Sequence, residues 1–352
     1  MSSSHIKKKK KCRIVIVNKP TIKDPKRRFF RKHIFLHPLT VVDIIVGYLG
    51  EDNDLSYFIQ AVHELDDEIK IFKPNTVMKT TNIDGRRLSH IADISWLQHL
   101  SVIVNSVKGG SACISHISRM TSLLTLQIGS TIPNKHWKGF EAINSLTSLQ
   151  SLTLSNLKFD GDKEILFSKE LTLQSIALIN CKITFNLMES VGSLSSLTSL
   201  DLSSTTIPIN PIIFESAPGE LGKISYRNAT PNLVNLRRLT LKKCNSLISF
   251  INGLPNPSIL EYVNIDDSRC ITSESEMKVL VGLTGVKELS LCYNTYPYLN
   301  IISLVSTMKQ LKLLNLTGWR WDNLVQLRDQ IISLLIDLKC IPGFNAIGFP
   351  VL

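Results

Sequence analysis

Eight histidines and seven cysteines are the side chains best able to do chemistry, and their spacing gives them little to do it with. His33 and His37 stand four apart, the separation that puts two imidazoles on one side of a helix, but no third ligand follows at a workable distance. Cys12, Cys113, Cys181, Cys244, Cys270, Cys292 and Cys340 include no CxxC pair, which argues against a zinc cluster and against a disulfide framework. No HExxH, GxSxG or glycine-rich phosphate loop accompanies them. The expectation is a chain with no catalytic residues, no cofactor and no metal, whose thiols are reduced in an intracellular compartment. What remains is recognition chemistry. Arg237, Arg238, Lys242, Glu261, Tyr262, Asp266 and Lys287 gather both signs of charge with an aromatic ring, and Arg and Tyr are over-represented among the residues that dominate protein interfaces.

Those seven residues lie inside a repeat. The frame LxxLxL starts at Leu97, Leu123, Leu149, Leu173, Leu197, Leu236, Leu260, Val286 and Leu311, with steps of 26, 26, 24, 24, 39, 24, 26 and 25. All nine frames carry Leu, Ile or Val at the three apolar positions, numbered 1, 4 and 6 below. Alternation of this kind describes a short strand with one face buried, and stacking such units closes a continuous parallel sheet. The residues between the leucines then project from the other face. Early frames offer small uncharged groups such as Thr125, Gln127, Ser151 and Thr153, while the later ones carry the charged and aromatic set. The plainer alternative is that Arg238 with Glu261 or Asp266, and Glu261 with Lys287, merely pair across neighbouring strands.

Position 9 is a further test, because a small polar side chain there can satisfy the exposed backbone of a bend. The chain has Asn105, Thr131, Leu157, Cys181, Thr205, Cys244, Ser268, Asn294 and Trp319, so seven of nine suit the role. Over roughly residues 90 to 325 it resembles the leucine-rich repeat family, and cysteine at two of these positions resembles its cysteine-containing subtype. The resemblance implies an α/β leucine-rich repeat solenoid, or horseshoe, with a parallel concave sheet and short convex helices. Leu187, Val191 and Leu194, and Ile301, Ile302, Val305 and Met308, have helical spacing between frames. The 39-residue step contains Pro208, Pro211, Pro218, Gly219 and Gly222, which reads as an inserted loop near 208–222 and not as a tenth repeat.

A small helical segment is expected ahead of the solenoid, over 34–70, with the solenoid running 71–352. Val41, Val42, Ile45 and Leu49 define one helix face and Leu55, Phe58, Ile59, Val62 and Leu65 another. The run LHPLTVVDIIVGYLGEDNDLSYFIQAV is similar to an F-box, with Pro38, Ile45, Tyr48 and Leu49 at the motif's proline, isoleucine and aromatic–aliphatic positions. HELDDEIK replaces the motif's closing basic-then-Trp signature. The resemblance implies docking to a Skp-type adaptor, making the chain a substrate-recognition subunit of a cullin-type ubiquitin ligase that holds a protein target on its concave face. The alternative is a stand-alone scaffold whose first helices only cap the solenoid.

Of a formal charge of +11, residues 1–32 hold thirteen Lys or Arg against Asp24 alone, so the basicity belongs to residues 1–33 as an extended, solvated tail. Such a tail attracts nucleic acid only nonspecifically, or serves as a bipartite nuclear signal. MSSSHIKKKKK lacks the apolar stretch of a secretory signal, and runs such as VVDIIVGYL fall short of the ~18 residues a membrane span needs. The expectation is a cytoplasmic or nuclear protein that does not enter membranes.

Overall fold

The structure is a computed structural model. It describes residues 97–104, 110–136, 138–159, 166–206, 232–244, 247–268, 279–294 and 306–315, the short stretches 44–45, 77–81, 88–89 and 345–347, and residues 92, 230 and 317. The expected tail (1–33), most of the expected helical segment (34–70) and the inserted loop near 208–222 lie outside the described residues.

Each frame becomes a strand because its apolar side chains at positions 4 and 6 fall on one face of the pleat and are withdrawn from water, as Leu152 and Leu154 are at 0% exposure. Among the described residues twelve strands form one open parallel sheet. They are β1 (Ile44–Ile45), β2 (Val77–Thr81), β3 (His99–Val104), β4 (Thr125–Ser130), β6 (Ser151–Ser155), β8 (Ser175–Ile179), β9 (Ser199–Asp201), β10 (Arg238–Thr240), β11 (Tyr262–Asn264), β12 (Glu288–Ser290), β13 (Leu313–Asn315) and β14 (Asn345–Ile347). Two further short strands, β5 (Lys135–His136) and β7 (Leu157–Lys158), pair at the side. Frame aligns with frame throughout: Leu126 faces Leu152, Ile176 faces Leu200, and Leu239 faces Val263. Nine frames thus give β3 to β13 of the main sheet in strict sequence order, which makes the chain a solenoid of leucine-framed repeats. β9 pairs directly with β10 across the 39-residue step, so no strand comes between them in this sheet.

Helical segments cover the buried side of the sheet. α1 (Gly110–Ile117), α2 (Phe185–Gly192) and α3 (Leu247–Gly253) are each two turns long. α2 starts at Thr184, whose extended backbone and side-chain oxygen cap the helix by accepting from the Leu187 amide at 3.2 Å. It delivers Leu187, Met188 and Val191 into one continuous hydrophobic core shared with the sheet. Gly285, just before β12, allows a close approach of two repeats: a Cβ there would overlap the Ser258 carbonyl.

At the bend after each strand, polar side chains at position 9 tie successive repeats together. Cys181 donates to the Leu154 carbonyl, Thr205 to Leu178, Cys244 to Leu202, Ser268 to Leu241 and Asn294 to Ile265. The partner is in every case the position-6 carbonyl of the preceding frame. Thr205, Ser268 and Asn294 also accept from the position-9 amide of that frame. At position 8, Asn156, Asn180, Ser204, Lys243, Asp267 and Tyr293 all have φ between 51° and 60°. This left-handed geometry turns each amide toward the position-7 carbonyl of the next repeat, at 2.7 to 2.9 Å. Leu157 breaks the side-chain ladder, and Asn156 beside it substitutes by donating to the Ser130 carbonyl.

One local difference appears at the N-terminal end. Ile44–Ile45 is a strand that pairs with Met78 and Lys79, where helical spacing predicts a helix face through Ile45. The β-branched run VVDIIV favours a pleated surface, and its Val41, Ile44 and Val46 reproduce the repeat frame itself.

Candidate functional site

A frame's second residue sits at the entrance to its strand and its third, fifth and seventh point to the open face, so each kind forms a row across the sheet. From β3 to β9 the third and fifth rows hold His99, Thr125, Ser151, Ser175 and Ser199, and Ser101, Gln127, Thr153, Ala177 and Asp201. These groups largely satisfy one another: His99 Nδ1 meets Thr125 Oγ1 at 2.7 Å and Ser101 donates to Gln127 at 3.1 Å. A shallow hollow of about 150 Å³ lies here, floored by Leu100 and Leu126, with no charge on its walls.

The later rows differ in kind. Arg238 faces Tyr262 in register, and its guanidinium lies over the ring at 4.2 Å from the centroid, a cation–π stack. In the second row Arg237 binds one oxygen of Glu261 at 2.7 Å and Lys287 binds the other at 3.0 Å. The hydrogen bonds from Lys287, then Arg237, hold the exposed Glu261 carboxyl below its ordinary range. Lys242 is exposed beyond β10, and Lys312, in the second row of the ninth frame, is exposed beside Lys287. Lys312 is the one cation of this row that the sequence reading passed over, although the frame LKLLNL marks its place.

Of the seven residues singled out from sequence, the structure therefore brings six to the solvent-facing side of β10 to β12. The simple alternative is met in its Glu261–Lys287 pair and differs in the other: Arg237, not Arg238, bonds Glu261, because the two share the second row while Arg238 shares the third with Tyr262. Asp266 is the exception among the seven. It is 9% exposed, and its Oδ1 accepts from the Cys292 amide at 2.8 Å and from Ser290 at 2.7 Å. Its Oδ1 is thus bound to the next repeat, although Asp266 occupies the seventh position of its frame. Pro38, Tyr48 and Leu49 lie outside the described residues; Ile45 is described only as a strand residue.

Cys181, Cys244 and Cys292 are buried and are thiols, not disulfides. Burial pushes the Cys181 thiol up to about 11 and raises that of Cys292 as well, so both stay protonated and unreactive. Among the described residues no group of three His, Cys, Asp or Glu could hold a metal ion, and no helix is long and apolar enough to cross a membrane.

No family model matches the chain, and no curated protein matches it. Among solved structures it is similar to an internalin from Listeria monocytogenes, at 18% identity over 86% of this chain and 78% of that one, with a TM-score of 0.49. The solenoid itself stands on the strand register given above.

Proposed function

We propose that the chain is a protein-binding scaffold and that the open sheet face over β10 to β13 receives the partner. The observation that carries this reading is the Arg238–Tyr262 stack beside the Arg237–Glu261–Lys287 chain, a group of large charged and aromatic side chains gathered on adjacent strands, where the face over β3 to β8 holds no formal charge. Flat aromatic surface and fixed guanidinium donors are what interface anchors have in common. Co-precipitation tests it. Arg238→Ala and Tyr262→Ala should strip partners that Ser151→Ala and Thr153→Ala retain, and the opposite pattern places the site on the early strands.

The finer reading, a ubiquitin-ligase subunit docked to a Skp-type adaptor through Pro38, Ile45, Tyr48 and Leu49, has the sequence run alone behind it. A strand at Ile44–Ile45 is the wrong element for that motif. The stand-alone scaffold is the reading we take. Direct binding of purified Skp-type adaptor, abolished by Ile45→Ala, is the result that reverses this choice.

A further inference from the structure

Five cations lie on or beside the open face of β10 to β13, namely Arg237, Arg238, Lys242, Lys287 and Lys312, with Glu261, Glu288 and Asp266 among them. The acids do not neutralise the group evenly. Both oxygens of Glu261 are taken by Arg237 and Lys287, and Asp266 is buried against backbone. No ion pair or hydrogen bond engages the Arg238 guanidinium or the Lys312 ammonium among the described residues. Arg238 is nonetheless held in place by Tyr262, whose ring centroid lies 4.2 Å from the guanidinium carbon, and a guanidinium packed on a ring keeps its N–H donors free for a further partner. A planar donor fork without an acceptor, held by a ring, is complementary to a carboxylate.

On the footing of the protein-binding reading above, we infer that the partner presents an extended acidic segment running across β10 to β13, with one carboxylate on Arg238 and a second on Lys312. The spacing follows from the sheet. β10 and β13 are three strands apart, or roughly 14 Å at about 4.8 Å per strand, and an extended peptide covers that distance in about four residues. The two acids therefore stand at i and i+4. The basic tail of residues 1–33 has the wrong sign to be this occupant. A nucleic-acid backbone is disfavoured by Glu261 and Glu288, which stand between the two cations and would repel a continuous run of phosphates.

The test uses the full chain and a fluorescent, otherwise uncharged peptide with Asp at i and i+4, followed by fluorescence anisotropy. Arg238→Gln and Lys312→Gln should each weaken binding about five-fold, whereas Lys169→Gln, which removes the same charge from a distant exposed site, should change nothing. Tyr262→Phe, which keeps the ring under Arg238, should bind like the parent, and Tyr262→Ala should not. Moving the acids to i and i+1 should cost as much as losing one cation. Equal loss in all three charge variants, or no loss in Arg238→Gln, overturns the inference. So does a larger response of a single-stranded oligonucleotide than of the peptide to the same variants. If the peptide is indifferent to Arg238→Gln while protein capture still requires Arg238, the acidic partner is wrong and the protein-binding face stands. If neither responds, both fall.

Discussion

Asn294 is the place to test whether the polar side chains at the bends hold the repeats together. It is 6% exposed, its amide nitrogen donates to the Ile265 carbonyl at 2.9 Å, and its carbonyl oxygen accepts from the Ser268 amide at 2.9 Å. Asn294→Ala leaves both backbone groups buried without a partner, each at a cost of roughly 1 to 3 kcal/mol. Some water can reach a site at the rim of the sheet, so the expected loss is about 3 kcal/mol. Asn144 supplies the control. It makes the same two kinds of bond, to the Leu166 carbonyl and from the Ser168 amide, but at a half-exposed site where water can replace them. Asn144→Ala should cost under about 1 kcal/mol. Urea unfolding followed by circular dichroism measures both, with the slope expected to be unchanged. Hydrogen exchange adds a local reading, since the Ser268 amide should lose protection in Asn294→Ala alone. A loss below about 0.5 kcal/mol, or a Ser268 amide as protected as before, would refute the ladder as a source of stability.

Three further outcomes are expected. Leu200→Asp should lower the melting temperature far more than Ser199→Asp, because burying Leu200 contributes about 1.5 to 3 kcal/mol and a buried carboxylate adds to the loss, and equal shifts would reject the strand register. Tyr293 holds φ 55° with its side chain 64% exposed, so Tyr293→Asn should raise stability by roughly 0.5 to 1 kcal/mol in thermal melts, and a decrease would mean the ring contributes packing. Cys181 binds its proton more tightly when folded, about 11 against an ordinary 9.0, so its contribution is complete below pH 9 and is lost as the pH climbs toward 11. The stability difference between the parent and Cys181→Ser should therefore shift against the parent by up to about 2 kcal/mol between pH 8 and pH 10.5, and a constant difference would show the thiol already ionised or hydrated.

The nine strands were legible because burying positions 1, 4 and 6 is a local demand that leaves its mark in every frame. The ladder at position 9 was legible for the same reason, since a small polar group there is repeated in most frames, with Leu157 as an exception. β2 and β14 were hidden because Met78 and Thr80, or Ala346, stand where Leu is expected, toward the two ends of the sheet. β1 was hidden differently: VVDIIV satisfies helical spacing and the repeat frame together, and pairing with β2 decides between them. At the candidate site the residue types were readable and their partners were not. Whether Arg237 or Arg238 reaches Glu261 depends on which row each occupies, and the burial of Asp266 depends on an amide of the next repeat. The left-handed row was unreadable at Ser204, Lys243 and Tyr293, residue types that do not favour that geometry, because the bond to the following repeat imposes it.

The direct pairing of β9 with β10 means that the excursion between them closes at little cost. Lengthening a connection from about 25 to 39 residues adds roughly 0.4 kcal/mol of closure entropy, less than one ordinary hydrogen bond returns. A seam of this kind can therefore exchange, extend or shed a whole appended segment without disturbing the rows on either side. The surface that Arg238 begins and whatever the excursion displays are free to change on separate evolutionary schedules, although they are covalently adjacent.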